Sequence, residues 1–382
     1  MRHFYQRFLL PVGLLAGAII GAGIFALPYI FDRAGIAAGF FYLAVGGSLY
    51  ALLHLLYADV ILRTSGEHRF VGYTRIYLGL SAGRIATLMT IMGMVFTLTV
   101  YLVLSVSFLN LLFAGAPLTK VVLFWIIASA AAFLNIRKLV FSEFVVTLAK
   151  LCIVALLFAL GIYAFIEKPA SLNLPTDFHT LFSPIAPILF AMSGRVAIPA
   201  LVKYFRVSRD ARDYTAMRRA ITWGTMLPVF VYALFIFGVL GLSGEVSEDA
   251  VAGLTYSLSP AILMLVGSLG LLSLWGSYIA VGADAIASLA YDFKMPRVVR
   301  SALVVGLPLL LYGSGFTNFF NLVGFVGGVF LGLEGIFILL MWMRSRASGG
   351  DTLLKKVHPL AIASGFLLLT AALVYESVVF FL

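Results

Sequence analysis

From Ile85 to Thr119 this chain carries no charged side chain, and from Ala220 to Gly244 it again carries none. About 20 apolar residues suffice to cross the roughly 30 Å of hydrocarbon in a bilayer. Runs of that length constrain the fold more than any motif, because a segment in lipid must satisfy its own backbone polar groups. The expectation is an all-α polytopic membrane protein. Apolar runs between polar punctuation place about 11 transmembrane helices, at 8–31, 36–62, 86–114, 118–136, 139–166, 181–205, 219–243, 258–291, 298–314, 317–343 and 358–382. With 62% of residues hydrophobic and 11% charged, a soluble domain could not hide its apolar surface. No hydrophilic stretch is long enough for a second domain, so residues 1–382 are expected to form a single transmembrane domain.

The net charge of +10 suggests nucleic acid until its placement is considered. Basic residues gather in short loops between apolar runs, as the positive-inside rule requires. With the N-terminus cytoplasmic, the outer segments hold only Arg33, Lys120 and Lys168, and nearly all other Lys and Arg fall inside. The expected orientation therefore puts the N-terminus in the cytoplasm and the C-terminus outside, in a plasma or bacterial inner membrane. Arg2, Arg7 and the trio Ala16-Gly17-Ala18 imitate a signal peptide, but the apolar run continues to Ile30 and is expected to remain as the first span. Residues 66–80, with Tyr73, Ile76, Tyr77 and Leu80 on one face, are expected to lie along the membrane surface. Cys152 is the lone cysteine, so it has no intrachain disulfide partner; packing is its expected role.

Two spans carry matching interruptions. Gly21-Ala22-Gly23 precedes Pro28 in the first, Ser193-Gly194 precedes Pro199 in the sixth, and in both the proline follows the last glycine by five positions. Interrupted helices at corresponding places in two halves mark the binding site of inverted-repeat transporters. The expected division is repeat one at 8–166, repeat two at 181–343 and an extra helix at 358–382. Glycine weakens a helix, and unwound backbone survives at membrane depth only when packed in protein or facing a watery cavity. A half-helix starting near Gly23 offers N–H groups and a positive dipole end to a carboxylate. Carbonyls ending the preceding half, near Ile19 and Ile20, suit an ammonium group. A zwitterionic amino acid matches both. The competing reading is close packing, since Gly13, Gly17 and Gly21 form a small-residue stripe.

Gly17-Ala-Ile-Ile-Gly-Ala-Gly-Ile-Phe-Ala-Leu-Pro28 resembles the first-helix motif of the hydroxy- and aromatic-amino-acid permeases, in the amino acid/auxin permease branch of the amino acid–polyamine–organocation superfamily. Pro187-Ile-Leu-Phe190, Ile198-Pro199 and Lys203-Tyr204 resemble the sixth helix of that family, and Ser277 with Asp292-Phe-Lys294 its eighth. The resemblance implies a leucine-transporter-type 5+5 inverted repeat, with helices 1 and 6 broken and substrate held between helices 1, 3, 6, 8 and 10. It also implies that Gly21, Ala22 and Gly23 meet the substrate carboxylate, and that Phe190 and Ser193 meet its amino group and side chain. Ile20, Phe25 and Gly194 complete the expected binding set; Phe25, Phe96, Tyr101 and Phe190 are candidates for an aromatic lining. Arg195 stands where the family usually has an aromatic and a His, which argues against an aromatic substrate.

Ionisable groups inside spans mark functions or buried partners. Lys150 lies roughly 18 Å along the fifth helix at about 1.5 Å per residue. Desolvation destabilises its ammonium form, so it is suited to taking up and releasing a proton. By resemblance to sodium-independent relatives it stands in for a sodium ion, facing Gly17, Ile20 and Ser277. An ion pair of Lys150 with Asp284 or Glu143 is the bland alternative. Arg195, Asp284 and Glu334 are expected to form a gate or charge network, whereas Asp59, Glu143 and Glu376 are expected near the interface. The expected function is a secondary active, proton-coupled symporter importing an amino acid by alternating access, with sodium coupling disfavoured and no cofactor or metal. Neither HExxH nor GxSxG occurs. His54 and Asp59 sit too far apart around one helix to act together as an acyltransferase pair. A receptor subunit that binds an amino acid without moving it is the alternative in a different class.

Overall fold

A computed structural model describes residues 4–133, 139–167, 182–207, 214–346, 352–354 and 356–381, with side chains described from residue 147 in the fifth span. Arg137, Lys138, Lys168, Arg209, Arg212, Lys355 and the side chains of Glu143 and Asp292 lie outside the described residues. Among the described residues there is helix and no strand. Within the described residues, seven helices are long and apolar enough to cross a membrane: Ile36–Arg63, Leu80–Asn110, Ile185–Arg206, Tyr214–Leu242, Pro260–Tyr291, Phe319–Ser345 and Pro359–Phe380. The pair Tyr5–Ile19 and Ala22–Ala34, bent by 55°, makes an eighth. The remaining three expected spans correspond to Pro117–Phe133, Leu139–Glu167 and Arg297–Gly313.

Both interruptions are real. The helix Leu10–Ile19 ends as Ile20 and Gly21 turn extended, and the chain resumes as a tight turn over Ala22–Ala26 before the helix Leu27–Ala34. In the sixth span, Ile185–Met192 ends at an extended Ser193, and helix resumes over Ile198–Val207. Each proline lies at the second position of the resumed helix, where its missing N–H costs nothing.

Glycines set how closely the spans approach. A Cβ on Gly23 would stand 2.5 Å from the Cα of Ala191, and one on Gly161 would strike the carbonyl of Gly238. By contrast, Gly13 has nothing within 4 Å and Gly21 nothing closer than 3.7 Å. The small-residue stripe therefore does not explain the first break; the tight helix–helix approach runs through Gly23 instead.

Several expectations about individual side chains are corrected. The surface helix runs Phe70–Leu78 and buries Phe70, Val71, Tyr73 and Thr74, while Ile76 and Leu80 are exposed. It packs on the third and tenth spans. Cys152 is exposed toward the lipid side, because it lies off the face of the fifth helix that packs inward. Glu376 is buried against Gly324 and Gly328 of the tenth span.

Asp59 is also buried. Its carboxylate accepts from Arg63 Nε (3.1 Å), Trp342 Nε1 (2.9 Å), Thr352 Oγ1 (3.1 Å) and the backbone N–H of Leu353 (2.6 Å). One carboxylate thereby ties the second span, the tenth span and the loop after it. Asp59→Ala leaves a guanidinium and three other donors without their acceptor, and is expected to cost about 3 kcal/mol of stability. Thermal unfolding in detergent measures the loss, and an unchanged Tm would remove Asp59 from this role.

Candidate functional site

The two breaks meet. Gly23 abuts Ala191, and a Cβ on Gly194 would collide with Ile19. Tyr232 of the seventh span sits against both, its hydroxyl 3.0 Å from the carbonyl of Ile19 and 2.7 Å from that of Ala191. Helices leave their last carbonyls without i+4 partners. Here a single buried phenol lies within hydrogen-bond distance of one from each broken helix, with one proton to share between them. Nothing in the sequence marks Tyr232, a tyrosine in an uncharged apolar run.

A cavity of about 140 Å³ opens between the breaks. The first span contributes Ala18, Ile19, Gly21, Ala22 and Gly23; the third Thr97 and Tyr101; the sixth Phe190, Ser193, Arg195 and Val196; the eighth Val281; the tenth Leu331 and Glu334. These are the five helices that the resemblance implied. Of the expected binding residues, Gly21, Ala22, Gly23, Phe190 and Ser193 line it. Gly194 instead packs behind, against Ile19 and His54. Ile20 and Phe25 face a neighbouring crevice of about 10 Å³, together with Gly21, Lys150 and Ser273.

That crevice brings Lys150 next to the first break, the neighbourhood that the family resemblance implied. Its hydroxyl, however, comes from Ser273; Ser277, one turn farther along, is buried but does not line it. Gly17 lies beside Thr147 of the fifth helix, whose Oγ1 would be 3.3 Å from an added Cβ. Asp284 pairs with Arg69, Nη1 to Oδ1 at 2.7 Å, not with Lys150. The reason is reach: the loop after the second span carries Arg69 directly to the eighth span, where it also meets Ser288 at 3.3 Å.

Arg195 and Glu334 form a buried ion pair, Nε to Oε2 at 2.6 Å. The Arg195 guanidinium also stacks 4.6 Å from the ring centroid of buried Phe70. Arg195 and Val196 line the 140 Å³ cavity and also a larger one of about 450 Å³. The ion pair therefore stands at the partition between the two. The larger cavity is lined by the 66–73 segment, the second half of the sixth span, and Asp284, Ser288 and Tyr291 of the eighth. Arg69, Lys203 and Arg206 line it as well, so its walls are cation-rich. Lys203 meets Glu67 at 2.8 Å and holds that exposed carboxyl below the usual carboxylate range.

Tyr204 donates to the carbonyl of Gln6, so the start of the chain lies at this vestibule end. Past the break, at the opposite end, Phe25 packs edge-on against Phe108 and Phe235 at 5.1 and 5.4 Å. Phe96 belongs to a separate aromatic cluster with Phe316, Phe325 and Phe330. Of the four candidate aromatics, only Tyr101 and Phe190 line the 140 Å³ cavity. A cluster of aromatic rings thus lies on one side of the arrangement and the Arg195–Glu334 ion pair on the other.

His54 and Asp59 make no catalytic pair: His54 Nδ1 lies 2.9 Å from Thr225 Oγ1, while Asp59 is committed elsewhere. Among the described residues no group of three or more His, Cys, Asp or Glu could hold a metal ion.

A family model described as transmembrane amino acid transporter protein matches residues 11–242. No curated protein matches the chain in sequence. Among solved structures, MhsT in complex with L-phenylalanine has a TM-score of 0.65 at 18% identity, covering 97% of each chain. A nucleobase-cation-symport-1 family transporter, closed with bromovinylhydantoin bound, has a TM-score of 0.62 at 17% identity, covering 98% of this chain and 91% of that one. A manganese transporter of Eremococcus coleocola gives 0.64 at 14% identity, covering 97% and 85%. The fold is thus the leucine-transporter-type arrangement, shared along nearly the whole length.

Proposed function

The chain belongs to the transmembrane amino acid transporter protein family, and on that premise we propose that it is a proton-coupled symporter that imports an amino acid by alternating access. The observation that carries the reading is the 140 Å³ cavity between two broken helices. N–H groups opening the turn at Ala22 and Gly23 favour a carboxylate. Ser193 and carbonyls ending the helix Ile185–Met192 favour an ammonium. The cavity is close in size to one of about 150 Å³ that admits benzene, which favours a small amino acid over an aromatic one. Arg195 and Glu334 neutralise each other across its wall, which favours a substrate without net charge.

Alternating access needs one side closed while the other opens. The Phe25, Phe108 and Phe235 contacts close the outer side in this arrangement, and the vestibule lies on the inner. The proposed orientation, with the N-terminus in the cytoplasm, is supported by the placement of Lys and Arg. Lys150 is the proton carrier of the proposal, placed beside Gly21 and Ser273 where a positive charge steadies the exposed carbonyls of the first break.

The test is uptake of labelled amino acids into proteoliposomes under imposed proton or sodium gradients. Accumulation driven by the proton gradient is expected; binding without accumulation would identify a receptor instead. Lys150→Ala is expected to lose gradient-driven accumulation while retaining substrate exchange at equilibrium. If uptake by that variant still followed an imposed pH gradient, Lys150 would not be the carrier.

A further inference from the structure

Two buried hydroxyls on the wall of the 450 Å³ vestibule have no acceptor for their protons among the described residues: Tyr57 Oη of the second span and Thr90 Oγ1 of the third. Tyr57 is fully buried and Thr90 is 8% exposed. A threonine inside a helix often donates to the carbonyl four residues back, and Thr97 and Thr99 of the same helix do so at 2.7 and 3.0 Å. Thr90 does not. Tyr57 lies against the Arg195 guanidinium, which can only donate, so the phenol proton is left over as well. Buried donors without acceptors are costly. A carboxylate entering the vestibule would take both.

The same walls hold a charge pair that can open. Arg69 meets Asp284 at 2.7 Å, with side chains 38% and 27% exposed. Wet pairs of this kind hold weakly. The Arg195–Glu334 pair is only 10% and 9% exposed, and a buried pair is costly to part. Arg69 also donates to Ser288 Oγ at 3.3 Å. Parting Arg69 from Asp284 therefore presents a guanidinium on one side and a carboxylate with a neighbouring hydroxyl on the other. That is the complement of a zwitterion. Asp284 and Tyr57 both lie within electrostatic reach of Arg195, so these groups gather at the vestibule face of the partition. There is room for an amino acid, since a cavity of about 150 Å³ already admits benzene.

We infer that the vestibule holds a second, weaker site for an amino acid without net charge, which inserts between Arg69 and Asp284. Its carboxylate takes Arg69 and the hydroxyls of Tyr57 and Thr90; its ammonium takes Asp284 and Ser288. No covalent bond changes. A molecule leaving the 140 Å³ cavity past Arg195 is caught here before release. The identity of the ligand rests on the transport reading; the presence of two sites does not.

Equilibrium dialysis of the purified full chain against labelled glycine, L-alanine, L-serine and L-valine tests the site. The amino acid bound best is expected to bind in two phases, the tighter from the 140 Å³ cavity and the weaker from the vestibule. Tyr57→Phe and Thr90→Val should each raise the weaker Kd about tenfold, the loss of one hydrogen bond to a charged group. Asp284→Asn should abolish that phase. Thr87→Val is the control: its hydroxyl is also buried without a partner among the described residues, but it does not line the vestibule, so both phases should remain. Propionate and phosphate, which lack an ammonium, should displace the weaker phase poorly. Displacement by phosphate as effective as by the amino acid would overturn the zwitterion site in favour of an anion site. A single phase in a chain that takes up the same amino acid into proteoliposomes would overturn the second site and leave the transport reading standing. Two phases without any uptake would do the reverse, and binding of none of the four would overturn the site outright.

Discussion

Gly23→Ala is expected to reduce uptake by about 100-fold, the scale at which a displacement of 1 Å at a reacting or binding geometry is felt. The added methyl would stand 2.5 Å from Ala191 Cα and 2.9 Å from its Cβ and N. These are backbone and near-backbone atoms, which cannot swing aside as the end of a long side chain would. The first break must therefore draw back from the sixth span, carrying with it the N–H groups of Ala22 and Gly23 and opening the shared hydroxyl contact of Tyr232. Gly13→Ala is the matched control. It lies in the same span, on the helix Leu10–Ile19 before the break, with nothing within 4 Å, and alanine in a helix is favoured over glycine by roughly 0.5–1 kcal/mol. That variant should unfold at the same or a higher temperature and transport normally. Uptake assays on the two, with thermal unfolding to confirm that both are folded, separate a local demand for glycine from a general one. Wild-type uptake by Gly23→Ala would mean that the two breaks do not need their close approach.

Spans and breaks were legible because each leaves a periodic or punctuated trace: an apolar run, a glycine pair, a proline at fixed distance; which five helices surround the cavity was implied by the family resemblance alone. Positions of polar groups within a helix were less legible. Asp59 and Glu376 were expected near the interface because they lie toward helix ends, yet packing against the tenth span and its following loop buries both. Whether an acid near a helix end is wet depends on neighbours that a linear reading does not supply. The same limit explains Ser273 in place of Ser277. One helical turn separates them, and the tilt of the eighth helix decides which meets the first break. Tyr232 and the π-helical turn at Val326–Leu331 had no local signal. Tyrosine is common in apolar runs, and an i→i+5 turn arises here between two other helices that press on Gly324, Gly327 and Gly328. A physical search for carbonyls left unserved at a predicted break would have asked for a donor such as Tyr232, without saying where along the chain it lies.

The Arg195–Glu334 pair sharpens the difference between holding the fold and controlling passage. Removing one partner of a buried ion pair strands the other, at a cost of about 3–5 kcal/mol, while replacing both with apolar residues is often neutral or stabilising. Arg195→Met and Glu334→Met are accordingly expected to unfold well below wild type, and the double variant to recover most of the loss. If the pair served stability alone, recovered folding would bring recovered transport. The geometry leads to another outcome, because Arg195 lines both the 140 Å³ cavity and the 450 Å³ vestibule. With two methionines the partition loses its attraction, and substrate on either side exchanges without holding a gradient. The double variant should therefore bind substrate and equilibrate it across proteoliposomes, yet fail to concentrate it. Concentrative uptake by a stable double variant would show that the ion pair is only a buried structural contact, and the barrier would then have to lie with Arg69 and Asp284, the next charged pair along the vestibule wall.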